Sequence, residues 1–493
     1  MNRTTIRPLT KTRFGAGLQC HKRLYLESYS PKLADPLDAA QKALFETGTA
    51  LGRLAQERFP GGHLISDPPF QHAQAVAATQ RTLGDGSVQA VYEGAFTFDD
   101  VRIRVDILSR ADGGSFDLVE VKSSTSVKAE HVPDVAIQLY VLQGCGIRVR
   151  DVFLMHIDNN YVYEGGPYDL GLLFRLESTT REAREFVRSG VREALAEMRG
   201  VLRRHDAPEV EIGRQCTSPY RCAFHGYCRQ GGPEHHIEQI PWARAPLLES
   251  LSRAGIRDIR DIPAGFQGLS VVQQRVRDSV VTGQPWRNPE IGRVLRRAAQ
   301  PLHFLDFETF NPALPLYPGT RPYQVIPFEW SLHVRDSAGN LRHHLFLHDG
   351  NGDPREPFSA SLLEHMGPEG SIVVYSGYER RILTQLASEL PQFSDRLSPL
   401  CDRMLDLLQV LREFYYHPQF HGNYSMKSVL PVLASDLGYD DLEIQDGTQA
   451  SAAFAKMILD ETPHWQRQRL REALHAYCGR DTEAMVRVFD ALG

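Results

Sequence analysis

Pro301–Phe310 reads PLHFLDFETF, an apolar run that carries two carboxylates, Asp306 and Glu308, two residues apart. Side chains alternate along a strand, so residues i and i+2 share a face. Both acids then leave the same face of what reads as a buried strand. Two like charges there repel and are costly to desolvate. A divalent cation is the usual reason such a pair is kept, because ligation replaces repulsion. The plainer alternative is a strand end with two solvated acids. The rest of the C-terminal third decides between them.

After a loop rich in Pro and Tyr (311–323), strands are expected at 325–334 and 343–348 and a helix over 353–366. Residues 371–387 read as a strand followed by a helix, with Glu379 at the junction. A helix over 401–416 carries Asp406, and 423–434 reads as a loop and short helix. In a final helix, 474–492, Tyr477 and Asp481 lie one turn apart on one face. Asp306, Glu308, Glu379 and Asp481 thus form a candidate set of four carboxylates. Such a set suits two divalent ions, Mg2+ or Mn2+, that activate water and stabilise a leaving oxygen. Tyr477 is placed to position the attacking water. Glu379 can also be read as a solvated acid favoured at a helix start, with Asp406 as the fallback ligand.

The N-terminal half carries a second constellation. An amphipathic helix is expected over 10–30, with Cys20 inside it, and another over 39–59. The runs 91–98 and 101–108 form a hairpin around Asp99 and Asp100, and Asp106 falls on the polar face of its second strand. A third strand, FDLVEVKSS (116–124), puts Glu120 and Lys122 on one face, and the next helix (133–142) carries Asp134 and Gln138 one turn apart. A strand over 151–157 and a long helix over 181–204 follow. Asp106 and Glu120 can hold a metal, while Lys122 can orient water or stabilise charge developing on a phosphate. The plainer alternative is an edge strand with a surface ion pair. Downstream, Cys216, Cys222 and Cys228 recur in CTSPYRCAFHGYC, tight enough for one metal centre, and Cys20 completes a four-thiolate set. Such sets hold zinc or an iron–sulfur cluster, and spacing alone does not separate the two. Cys145, Cys401 and Cys478 read as lone core cysteines.

At 493 residues the chain is too long for one ordinary core. Hydrophobic residues at 42% and charged residues at 24% are the composition of a globular protein. No apolar run is long enough to span a bilayer, and the start of the chain lacks an apolar signal core, so a cytoplasmic location and no membrane partner are expected. With a net charge of −6, any nucleic-acid binding must come from local basic surface. Seven cysteines in so long a chain do not suggest a disulfide scaffold.

Cys20 with Arg23, then Asp106, Glu120-Val-Lys122, Gln138 and the three late cysteines together resemble the RecB-like PD-(D/E)xK nucleases. The branch most similar has an iron–sulfur cluster, as in the CRISPR-associated and AddB-like enzymes. The resemblance covers about the first 230 residues and implies a restriction-endonuclease-like domain with a [4Fe–4S] cluster on Cys20, Cys216, Cys222 and Cys228. Two departures stand out: the family's metal-binding histidine is matched by Gln56, and the tyrosine of its glutamine helix motif is displaced to Tyr140. Asp306-Phe-Glu308 and Tyr477–Asp481 resemble the first and third motifs of tyrosine-type DnaQ-like exonucleases of the RNase H-like fold. The second motif ends in Glu379 where that family has Asp. This resemblance covers 301–493 and implies 3′-to-5′ exonuclease chemistry.

The expected organisation is therefore an α/β chain with a RecB-like domain over 1–230, a helical connector over 231–300 and a DnaQ-like domain over 301–493. Within the connector, 247–263 reads as a helix, a turn at Gly255 and a short second segment, and Arg293, Arg296 and Arg297 give it a basic face. The expected partner is nucleic acid, DNA first and RNA as the alternative. No Walker loop or helicase motif occurs, so an unwinding, repair or defence partner would be another protein. A single live centre with the first domain as a grip, and a non-catalytic binding or redox-sensing module, are the rival readings.

Overall fold

The computed structural model describes residues 7–493 and has a mixed α/β fold. The chain divides into two compact units, one running to Gln230 and taking in Ala313–Tyr323, the other made of Gly231–Pro312 and Gln324–Gly493.

The first unit contains, in order, β1 (Leu9–Thr10), α1 (Lys11–Gln19), α2 (His21–Tyr29), α3 (Ala39–Gln56), β2 (Gly62–Leu64), α4 (His72–Gly84), β3 (Ala90–Phe98), β4 (Val101–Ala111), β5 (Ser115–Lys122), α5 (His131–Gly144), β6 (Val149–Ile157) and β7 (Phe174–Ser178). One sheet runs β2-β3-β4-β5-β6-β7, with β1 pairing β4. The β3–β4 turn is made by Asp99 and Asp100, with φ of 51° and 57°. Two left-handed residues are what a tight hairpin turn demands, and Asp tolerates that conformation better than most residues. In β4, Val101, Ile103 and Val105 are buried. Helix α5 is apolar nearly all round, as a helix enclosed by its own domain should be, and Val135–Leu142 are all buried. The single helix expected over 10–30 is broken at Cys20, whose backbone is extended (φ −163°, ψ 122°), so the cysteine caps both α1 and α2. The segment 313–323 packs Ala313, Leu314 and Tyr323 onto the core around Met155 and Phe174. The Tyr323 hydroxyl donates to the Ser123 carbonyl, Tyr168 donates to Pro315 O at 3.0 Å, and Tyr163 N–H donates to Thr320 O at 2.9 Å.

The second unit contains β8 (Trp286–Arg287), β9 (Leu302–Phe310), β10 (Ile326–Arg335), β11 (Leu341–Leu347), β12 (Ile372–Val374), β13 (Met404–Asp406) and β14 (Tyr415–Tyr416). Its main sheet runs β11-β10-β9-β12-β13, which makes β9 the central strand. The period of two along β9 sorts its side chains. Leu305 and Phe307 enter a core with Phe358, Ile382 and Leu400. On the other face Phe304 meets Phe489 and Phe310 meets Phe454. Asp306 and Glu308 share that second face, beneath helices Gly447–Met457 and His464–Leu492. Residues 231–300, expected as a connector, fold into this unit: β8 pairs with β14, and Asn288 N–H donates to Phe414 O at 2.8 Å. The helix expected over 401–416 is interrupted, because Asp406 ends a strand and its Oδ1 caps the next helix by accepting from Gln409 N–H at 3.0 Å.

Candidate active sites

In the second unit the four proposed ligands converge from three elements. Asp306 and Glu308 come from β9, Glu379 from the first turn of helix Tyr378–Glu389, and Asp481 from helix His464–Leu492. A cleft of about 480 Å³ is lined by Asp306, Glu379, Tyr439, Tyr477 and Asp481, and Glu308 lines an adjoining hollow with Asp306, Tyr477 and Asp481. Glu308 and Glu379 are 6% and 3% exposed. Burial, with repulsion from Asp481 and Glu379, pushes the Asp306 carboxyl well above the usual carboxylate range. Glu308 is pushed the same way by burial and Asp306. Burial raises Glu379 to about 8. Burial raises Asp481 only to about 6, because hydrogen bonds from Tyr439 and Tyr477 favour its charged form; the Tyr439 hydroxyl donates to Asp481 Oδ1 at 2.5 Å. Among the described residues none of the four acids forms a salt bridge. Lys427, which acts on Asp481 through space, has Nζ 3.9 Å from Asp446 Oδ2. One oxygen of Glu379 is buried with no hydrogen-bond partner. Buried, repelling carboxylates with an unpartnered oxygen are a donor set that fits divalent cations. Asp406, the fallback, is half-buried and already spends an oxygen as a helix cap.

Three further groups at this site escaped the sequence reading. Ligand atoms of Asp306, Glu308 and Cys478 all lie within 4.8 Å of one another, and Cys478 Sγ sits 3.9 Å from Asp306 Oδ2. Cys478 is thus not a lone core cysteine, though it is fully buried. Its place three residues before Asp481 on the same helix was the available signal. Glu329 of β10 stands opposite Glu308 in the strand register and is 0% exposed. Its Oε1 lies 3.2 Å from His475 Nδ1, and its Oε2 has no partner. The signal was a lone acid in the apolar run IPFEWSLHV. Tyr439 had none, since a loop brings it in from far along the chain.

In the first unit Asp106, Glu120, Lys122 and Gln138 also converge, from β4, β5 and α5. Here the buried carboxylate is neutralised from within. Lys11 Nζ donates to both oxygens of Glu120, at 2.8 and 3.0 Å. Lys122 Nζ donates to Glu120 Oε1 at 2.8 Å and to Asp134 Oδ2 at 2.6 Å. Gln138 Nε2 donates to Glu120 Oε2 at 2.7 Å. Burial opposes the charge on Glu120, but Lys11 and Lys122 outweigh it and hold the carboxyl well below the usual range. Asp106 accepts from Val121 N–H at 2.8 Å, and burial beside Glu120 raises it to about 7. As it stands this set fits a metal only if Lys11 is displaced, because four hydrogen bonds from three side chains already fill the Glu120 carboxylate. Lys11 could not be read from sequence: it reaches Glu120 across 109 positions. Gln56 ends α3, where its carbonyl accepts from the Tyr92 hydroxyl at 3.2 Å.

Cys20, Cys216, Cys222 and Cys228 surround one small void. Gln19 Nε2 donates to Gln215 O and Tyr220 O, at 2.6 and 2.7 Å, which fastens the end of α1 to the cysteine loop. Burial raises the Cys222 and Cys228 thiols. Four soft donors around one void fit a metal centre. Of the other cysteines, Cys401 is buried, whereas Cys145, expected in a core, is exposed at the end of α5.

No helix among the described residues is long and apolar enough to cross a membrane. Residues 303–425 match the family model of a domain of unknown function, DUF2779. That span holds Asp306, Glu308 and Glu379 but ends before Tyr477 and Asp481. No curated protein matches the sequence. A solved structure titled "Crystal structure of SSO0001" is 16% identical, over 46% of this chain and 87% of its own, with a TM-score of 0.23.

Proposed function

We propose that the chain is a metal-dependent nuclease whose principal centre is the acidic cleft of the second unit, a DnaQ-like, RNase H-like exonuclease site acting from 3′ ends. One observation carries this reading: Asp306, Glu308, Glu379 and Asp481 crowd into one buried site without a salt bridge. Ionised carboxylates with oxygens within 4.8 Å of each other, as Asp306 and Glu308 have, repel by about 3 kcal/mol or more at the effective dielectric of a protein site, so the charged arrangement is costly unless cations enter it. Mg2+ or Mn2+ bound there would supply activation of water and stabilisation of charge on the phosphate. Glu308 and Asp306 would hold the cations from the sheet side, Asp481 and Glu379 from the helices. Tyr477, hydrogen-bonded to Asp481, is placed to hold and orient the attacking water. The carboxylates themselves are buried, which strengthens each of these interactions.

The first unit is read as a RecB-like PD-(D/E)xK domain, of restriction-endonuclease-like fold, and as a second nuclease centre. Lys122 supports that reading, with its ammonium on Glu120 and Asp134. The Lys11 ammonium supports the alternative, in which this unit grips nucleic acid and the second unit alone cuts. The four cysteines around one void suit a [4Fe–4S] cluster, with zinc as the alternative. DNA is the proposed substrate and RNA the alternative, with any helicase or repair and defence partner a separate chain. The test is trimming of end-labelled single-stranded DNA and RNA in Mn2+ by wild type, Asp306→Asn and Lys122→Ala. Loss of 3′ trimming in Asp306→Asn alone leaves one live centre; a separate activity lost in Lys122→Ala gives two. A wild type that cuts nothing overturns the nuclease reading.

A further inference from the structure

Beside the acidic cleft the second unit carries an aromatic step that the chemistry above does not use. Trp242 is 56% exposed, with a left-handed backbone (φ 52°) that bulky residues rarely adopt. Strain of this kind persists where surrounding structure imposes it. Gln273 Nε2 donates to Pro241 O at 2.9 Å, which anchors the turn. On the other side Gly422 (φ 74°) packs so close that an added Cβ would stand 1.6 Å from Gln239 O. The loop bearing Tyr424 is thereby locked against the chain that presents Trp242. The two rings are 6.0 Å apart and nearly parallel, at 7°. Tyr424 is buried, and the Arg412 guanidinium lies over the Trp242 ring, 5.1 Å from its centre, while 56% of the Trp242 surface stays open. The step leads into the cleft: Tyr375, a lining residue, donates its hydroxyl to Tyr424 O at 2.7 Å, and Lys427 lines the cleft three residues on.

We propose that Trp242, braced by Tyr424 and flanked by Arg412, is a stacking platform for a base of single-stranded nucleic acid whose 3′ end enters the acidic cleft. This rests on the nuclease reading. The acids of the cleft offer a phosphate backbone no attraction of their own, and the chain as a whole is negative, so a grip outside the acids that does not depend on charge alone is needed. An exposed indole beside a guanidinium supplies that grip, because every base has a π face and the arginine neutralises a neighbouring phosphate. A duplex keeps all but its terminal base faces stacked and so gains little from the platform.

The test uses the full chain carrying Asp306→Asn, so that substrate survives, and labelled oligonucleotides of about 10 nucleotides, within the range one such site covers. Fluorescence anisotropy should show single strands binding more tightly than blunt duplex. Trp242→Ala should weaken single-strand binding about tenfold or more, the scale of one lost base stack, and Trp242→Phe should restore most of it. Unchanged single-strand affinity in Trp242→Ala overturns the proposal, as does failure of the parent chain to bind either single-stranded DNA or RNA, which would leave the step to a protein partner. If Trp242→Ala fails to fold, as judged by its melting curve, Arg412→Ala takes its place and should weaken binding and flatten its salt dependence. Trp242-dependent binding by a chain whose wild type never cuts keeps the platform and rejects the nuclease reading. Cutting by wild type with Trp242-independent binding does the reverse.

Discussion

In the first unit Glu120 meets two ammonium groups and an amide; in the second, Asp306, Glu308, Glu379 and Asp481 meet no salt-bridge partner among the described residues. Both clusters are buried acids gathered about a central strand of a sheet. The difference lies in who supplies the positive charge. Lys11 and Lys122 satisfy the first cluster from within the fold, whereas the second must hold protons or wait for cations from solution. A carboxylate cluster therefore does not by itself identify a metal site; the count of built-in cations around it decides.

The sharpest break in this comparison is catalytic. Asp306→Asn should lower 3′ trimming by at least about a hundredfold, the scale of losing one electrostatic stabiliser of a transition state. Equal trimming by this variant would remove the second cluster from the chemistry. In the first unit, Lys11→Met should cost about 3 kcal/mol in the metal-free protein, the lower end for breaking a buried pair, since Lys11 is a quarter exposed. Its melting temperature should then rise with Mn2+ more than wild type does, because a divalent ion can take the vacated place. A variant as stable as wild type and no more responsive to Mn2+ would mean that Lys11 is not the counterion.

Metal addition should stabilise wild type mainly through the second cluster. An ion at a hundred times its dissociation constant contributes about 2.7 kcal/mol if it binds only the folded chain, which is a rise of about 5 °C or more in Tm. Glu308→Gln should remove most of that rise, and the absence of any Mg2+ or Mn2+ shift in wild type would count against the site.

The smallest effect is in pH dependence. Glu379 (about 8) and Asp481 (about 6) have folded values above their unfolded ones, so the folded protein holds more protons in between. Stability from these groups is fully present below about pH 4 and is lost as pH rises through 6 to 8. Glu120 runs the other way: its folded value is depressed, so its contribution is present at neutral pH and fades only as acid approaches that low value. Metal-free melting curves between pH 5 and 8 should therefore slope downward, by about 1 kcal/mol per pH unit per titrating group, and saturating Mn2+ should flatten them. An upward slope would show that the second cluster is charged in the folded, metal-free chain.

What sequence could supply was local. Asp306 and Glu308 two apart on an apolar strand, and Tyr477 and Asp481 four apart on a helix, follow from the two periodicities, and all four line one hollow. The Asp106–Glu120–Lys122–Gln138 group was legible for the same reason. What it could not supply enters through register and packing. Glu329 joins the acids because β10 pairs with β9 at that register. Lys11 arrives at the start of α1 from across the unit, and Asp406 falls at a strand end because the expected helix breaks after Asp402. None of these depends on a spacing within one element.

The order of synthesis is not the order in which the first unit can be finished. Its main span ends at Gln230, but Ala313–Tyr323 belongs to it as well. On the ribosome the segment that covers Met155 and Phe174, and that bonds Ser123 beside Lys122, emerges 93 residues after Gln230 (323 − 230). At about 5–20 residues per second that is a delay of roughly 5–20 s, during which the nascent sheet keeps an uncovered apolar edge. The first unit thus depends for its completion on translation continuing well into the second, and a stalled or truncated chain would expose that edge to chaperones and proteases.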